Sequence, residues 1–135
     1  MKKKQTTLVI LVVLLLCAAA GAYWFYSNRE VPETFFDYSP GDYFVTNVKD
    51  SKRLFKVSVV LRLTTDDDKV IAEVFTRNNA LIRDIIIFTL REMNEGALVD
   101  INMHNLVREQ LRLKIGEALG TDLIGKVLFN DYVMQ

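Results

Sequence analysis

Cysteine and histidine are almost absent from this chain of 135 residues, which has one of each, Cys17 and His104. A disulfide within the chain is therefore excluded, and histidine-based catalysis would have a single imidazole and no nucleophile-elbow sequence beside it. No glycine-rich loop of the kind that cradles phosphate is present. Proline occurs only at Pro32 and Pro40, so proline interrupts regular structure in one short region. Internal repeats and low-complexity tracts are missing. Neither sign of charge is in excess, with 17 basic and 17 acidic residues. Setting aside Lys2, Lys3 and Lys4 leaves a net charge of −3. That argues against nucleic acid as a partner, because phosphate binding needs a basic face.

Charge is missing altogether from one stretch, Leu8 to Tyr26. As a helix rising about 1.5 Å per residue it reaches roughly 28 Å, close to the hydrocarbon thickness of a bilayer. Lysines precede it and Tyr23, Trp24, Phe25 and Tyr26 close it. Lysines mark the cytoplasmic side, and amphipathic aromatics sit at the opposite membrane interface. The expected arrangement is a cytoplasmic tail at 1–7, a transmembrane helix at 8–26, a linker at 27–42 and an extracytoplasmic domain at 43–135. A cleaved signal peptide is the competing reading, since Ala18-Ala19-Ala20 and Ala20-Gly21-Ala22 both fit a small-residue cleavage pattern. The apolar character continues to Tyr26 and favours an uncleaved anchor. Leu16 is too large for the residue that usually precedes a lipid-bearing cysteine, which disfavours lipid attachment at Cys17.

About 109 residues follow the anchor, enough for one small domain. In the linker, Pro32 and Ser39-Pro40-Gly41-Asp42 are turn chemistry. Phe35, Phe36 and Tyr38 are unusual for a solvated tether. They either pack on the domain or lipid headgroups, or dock a neighbouring protein.

Residues 43–48 alternate as a strand does, and a longer strand runs from Leu54 to about Thr64. Its period of two puts Phe55, Val57, Val59, Leu61 and Leu63 on one face. Asp66-Asp67-Asp68 has neither the ligand spacing nor the glycine of a calcium loop, and reads as charge at a helix start. From Val70 to Asn94 there is no glycine or proline, and the pattern predicts one long helix. Its main apolar face would be Val74, Leu81, Ile82, Ile85, Phe88, Thr89 and Met93. Ile87 and Leu90 fall beside Arg83, off that face. They need cover, either from the same domain or from a neighbouring subunit. A second helix spans about Asn102 to Leu119, with a stripe at Met103, Val107, Leu111, Ile115 and Ala118. His104 near its start reads as a surface or capping residue. Gly125 to Gln135 reads as a strand beside the first hairpin. The predicted class is α/β in the mixed α+β sense, order β-β-α-α-β, and the residues alone indicate a membrane-anchored binding or scaffold domain.

The chain resembles the FliL family of flagellar basal body-associated membrane proteins. The resemblance is carried by Phe44-Val45-Thr46-Asn47-Val48, by RLFKVSVVLRL at 53–63, by Asn79 to Ile87 with Leu90, and by Val127 to Gln135. The aromatic linker is not part of it. The resemblance implies a single-pass protein of the inner membrane at the flagellar basal body, with a stomatin-like (SPFH) periplasmic domain. It implies no catalysis, no cofactor, no metal and no small-molecule substrate. The implied partners are the MotA–MotB type stator complex, membrane lipid and other copies of the chain in a ring, in support of stator activation, torque, swarming or chemotactic motility. In that frame Arg83, Ile87 and Leu90 are candidates for the subunit contact. Phe35, Phe36 and Tyr38 are candidates for stator or lipid contact. Tyr23, Trp24, Phe25 and Tyr26 would lie at the membrane interface. The alternative is a stomatin-like membrane scaffold or adaptor unrelated to motility.

Overall fold

The uncharged run is part of a helix that extends past it at its N-terminal end. In the computed structural model, which describes residues 2–28 and 34–135, helix α1 covers Lys2–Ser27. Residues 2–7, expected to be a separate tail, continue the helix, and Thr6 and Thr7 donate to the carbonyls of Lys2 and Lys3 at 2.8 Å. Helix α1 is apolar on every side between Leu8 and Tyr26, none of its residues is buried, and by length and composition it can cross a membrane. It forms one compact unit and residues 34–135 form a second.

The second unit runs β1 (Phe36–Tyr38), β2 (Phe44–Asn47), β3 (Leu54–Leu63), α2 (Asp68–Val70) with a π-helical continuation at Ile71–Thr76, α3 (Asn79–Arg91), α4 (Glu95–Val99), α5 (Ile101–Leu119) and β4 (Ile124–Met134). This is a mixed helix-and-sheet domain on an antiparallel sheet. The order β-β-α-α-β is corrected by an added first strand, by division of the first helix and by the short α4. The expected linker is shorter as well. Its residues 29–33 lie outside the described residues, while 36–38 are a strand of the sheet. Three residues are too few for a period of two to register between turn signals.

Strand β3 is the centre of the sheet. Antiparallel β4 pairs with it from Phe55↔Met134 to Leu63↔Ile124. On the other edge, β2 pairs with its first half (Phe44↔Val57) and β1 with its second (Tyr38↔Leu61). β1 and β2 are thus one edge strand interrupted at Ser39-Pro40-Gly41-Asp42-Tyr43, where Pro40 lacks a ladder donor. Phe55, Val57, Val59, Leu61 and Leu63 are all fully buried on the helix-covered face. Burying each contributes about 1.5–3 kcal/mol.

Local signals set the helix ends. Asp67 caps α2, its Oδ1 accepting from the N–H of Lys69 at 2.9 Å and of Val70 at 3.4 Å. Asn94 caps α4 through the Ala97 N–H at 2.9 Å. Asp100, rather than Asn102, caps α5 through the Asn102 N–H at 2.8 Å. Gly120 ends α5 in the left-handed conformation, φ 63°, which glycine adopts without strain.

Candidate interaction surfaces

The first-helix region departs most from its sequence pattern. The buried side of α3 lies about a quarter turn from the predicted face, and Ile71 and Phe75 of the π-helical turn are buried in phase with it. Its buried side chains are Ile82, Ile86, Thr89 and Leu90. Phe88 and Leu81, placed in the core by the pattern, are 55 % and 42 % exposed. Leu90, read as a subunit-contact candidate, is 0 % exposed inside its own domain. The core therefore supplies the cover it needed, and its side chain is closed to a neighbouring copy. Ile87 is half-buried against the same core.

Arg83, the third of these candidates, also faces inward. Its Nη1 donates to the Pro40 carbonyl at 3.0 Å, and its guanidinium lies over the Phe44 ring, 4.7 Å from the centroid. It braces α3 against the interruption between β1 and β2. A Cβ on Gly41 would sit 1.7 Å from Arg83 Nη1, so the brace requires glycine there. Gly41→Ala is expected to displace the guanidinium and lower stability by about 1.5–3 kcal/mol, the worth of a charged hydrogen bond. Arg83→Gln should cost a similar amount, and the double variant less than the sum of the two, in denaturant titrations.

The linker aromatics separate. Tyr38 is 9 % exposed and packs on Phe75, centroids 5.8 Å apart. Its hydroxyl lies 2.9 Å from Asn79 Oδ1 and 3.3 Å from the Phe75 carbonyl. It is a core residue, which corrects its reading as a stator or lipid contact, and burial raises its pKa. Phe36 and Phe35 are exposed on the domain surface, Phe35 stacking near the Arg62 guanidinium at 5.8 Å. Arg62 itself holds Asp37 through paired 2.8 Å bonds, which lower the Asp37 pKa. Tyr23, Trp24, Phe25 and Tyr26 are exposed at the C-terminal end of α1.

Between α3 and α5 lies an open groove of about 500 Å³, lined by Asp84, Ile85, Phe88, Thr89, Glu92, Lys114, Glu117 and Ala118. Lys114 pairs with Glu92 at 3.6 Å, which leaves Asp84 and Glu117 as surplus negative charge beside exposed Phe88. Such a surface suits an apolar, basic partner. The sequence missed it because Leu81, Ile85 and Phe88 are as apolar as the residues that pack, so the pattern placed them in the core.

His104 is bound within the fold. Its Nε2 lies 2.8 Å from the Leu98 carbonyl at the end of α4, and its ring packs on Tyr132 at 4.5 Å. The Tyr132 hydroxyl donates to the same carbonyl, and burial pushes its pKa up to about 12 from 10.0. The folded form keeps its proton where the unfolded chain loses it, so stability is full below pH 10 and falls as pH rises from about 10 to about 12. Tyr132→Phe should flatten that alkaline slope in denaturation measured across the same window. Among the described residues, no three His, Cys, Asp or Glu side chains gather as a metal set.

The profile of the family described as flagellar basal body-associated protein FliL matches residues 38–135. No curated protein matches the chain.

Proposed function

Because the chain belongs to the FliL family of flagellar basal body-associated proteins, we propose that it is a non-enzymatic accessory of the flagellar motor that assembles with the stator complex and with copies of itself. The single observation that carries this reading is the family match over nearly the whole folded domain, 38–135, in a chain that begins with a membrane-length apolar helix. In this reading α1 anchors the chain in the inner membrane with Lys2, Lys3 and Lys4 in the cytoplasm, Tyr23 to Tyr26 lie at the far interface, and the stomatin-like domain is periplasmic. Anchored copies meet at high effective concentration, so weak contacts suffice for a ring. Exposed Leu81 and Phe88, with half-buried Ile85 and Ile87, supply the copy-to-copy contact. Phe35 and Phe36 face the stator or lipid. A ring that binds the ion-conducting stator better than the closed one would shift the stator toward activity.

The test is recovery of the full-length protein in mild detergent, with mass spectrometry of its partners and of its own N-terminus, beside motility of a deletion strain. Stator subunits, an intact N-terminus and reduced swarming with flagella retained are the expected result. Normal motility with no stator recovered would overturn the proposal and return the chain to the scaffold class.

A further inference from the structure

Strand β4 is long and lies at the edge of the sheet. It pairs with β3 along one side, and no described strand pairs with the other. The direction of its main-chain groups follows from the register. Leu54 and Gln135 exchange both backbone bonds, at 2.7 and 2.9 Å, and Thr64 donates to the Leu123 carbonyl at 2.9 Å. With Val60↔Leu128 and Arg62↔Lys126 as partners, Lys126 and Leu128 bond inward to β3. Val127 and Phe129 then turn N–H and C=O outward, by the alternation of an antiparallel ladder. No other backbone hydrogen bond reaches Val127 or Phe129 among the described residues. Natural edge strands are commonly blunted by proline, by several charges or by brevity. This edge has 11 residues, no proline and two charges, Lys126 and Asp131, and between its two register shifts the stretch from Lys126 to Phe129 keeps a regular register.

A groove of about 300 Å³ opens beside this edge, between Gly125, Lys126, Val127 and Leu128 of β4 and Asn105, Arg108 and Glu109 of α5. Its charge is uneven. Glu109 is taken by Arg112 in paired bonds of 2.8 and 2.6 Å. Arg108 lies over the Phe129 ring at 5.1 Å, and its Nη1 reaches Asn105 Oδ1 at 3.3 Å. Its Nε is buried with no hydrogen-bond partner, and no described carboxylate pairs with it. Arg108 is therefore a surplus cation beside a row of open backbone groups, and its terminal guanidinium nitrogens are the donors that a ligand carboxylate can pair with.

We propose that the outer edge of β4 at Val127 and Phe129 receives an extended, acid-bearing segment of another protein as an added strand, with Arg108 holding its carboxylate. The backbone bonds supply affinity and the Arg108 groove selects the acidic side chain. A second copy of β4 is a poorer occupant. It would bring Lys126 along with Asp131, no net charge, and leave Arg108 uncompensated. The site stands apart from the α3 stripe and from the flagellar reading, so either can fail without the other.

The experiment uses the full-length protein in detergent micelles and short synthetic peptides of alternating threonine and valine carrying one central glutamate, glutamine or lysine. Amide exchange is followed residue by residue. The glutamate peptide should slow exchange at Val127 and Phe129, while Lys126 and Leu128, already in the ladder, change little. Affinity should fall about tenfold for the glutamine peptide or for Arg108→Gln with the glutamate peptide, and the lysine peptide should bind more weakly still. Equal binding of all three peptides, or no slowing at Val127 and Phe129, overturns the proposal. So does protection of those amides that grows with protein concentration when no peptide is present, since that would assign the edge to a second copy.

Discussion

Leu90→Ala is expected to lower the stability of the folded domain by about 2–5 kcal/mol, the range for removing a buried leucine side chain. Leu90 is fully buried and belongs to the core cluster that also holds Ile82, Ile86, Leu111 and the inward residues of β3. The truncation removes apolar contact and leaves a cavity that rigid neighbours fill only in part. Phe88→Ala, two residues away on another side of the helix and mostly exposed, should change stability by less than about 0.5 kcal/mol. The contrast locates the two side chains. If Leu90 served a neighbouring subunit, its truncation would weaken self-association at constant domain stability. The expected result is the reverse, a lower denaturation midpoint with an unchanged slope. An unchanged midpoint for Leu90→Ala would show that α3 is docked in a different rotation.

Placing arginines at the middle of α1, Leu15→Arg with Ala19→Arg, should abolish stable insertion. Each arginine near the centre of a spanning helix costs about 2.5–3.5 kcal/mol on insertion scales, and positions 15 and 19 lie near the middle of the span, where a side chain is farthest from either interface. The protein should then leave the membrane pellet during alkaline carbonate extraction, while the parent chain remains. If the doubly substituted chain stays in the pellet, the folded domain must hold the membrane by itself, and α1 is not the anchor. Mass spectrometry of the parent N-terminus separates anchor from cleaved leader, since a leader would leave a mature chain starting near Gly21 or Tyr23.

Much of the framework was readable because it depends on local chemistry. The alternation in β3 located five buried residues, since the pleat alone decides which side chains share a face. The α5 stripe at Val107, Leu111 and Ile115 is likewise buried as its spacing predicts, while Leu106 and Leu113, off that stripe, are exposed. The strand β1 was hidden because its three residues sit among proline and turn signals, and its only mark was an excess of aromatics. The short α4 was hidden because Gly96 reads as a helix stop, although Asn94 supplied a capping signal. The candidate contacts fared worst. Tyr38, Arg83 and Leu90 all proved to be engaged within the domain, while Leu81 and Phe88 emerged on its surface.

By itself the sequence determined the apolar span, the mixed helix-and-sheet class, the central strand and the family resemblance. Each of these rests on spacing or composition within a short stretch of chain. Only the tertiary structure decided which side of α3 faces inward, which edge of β4 stays open and where Arg83 and Arg108 point. Apolar residues lie on more than one side of α3, so its own pattern leaves the inward side open, and strand pairing joins residues far apart in sequence. No local pattern records either effect, because the energy that selects them comes from packing across the core.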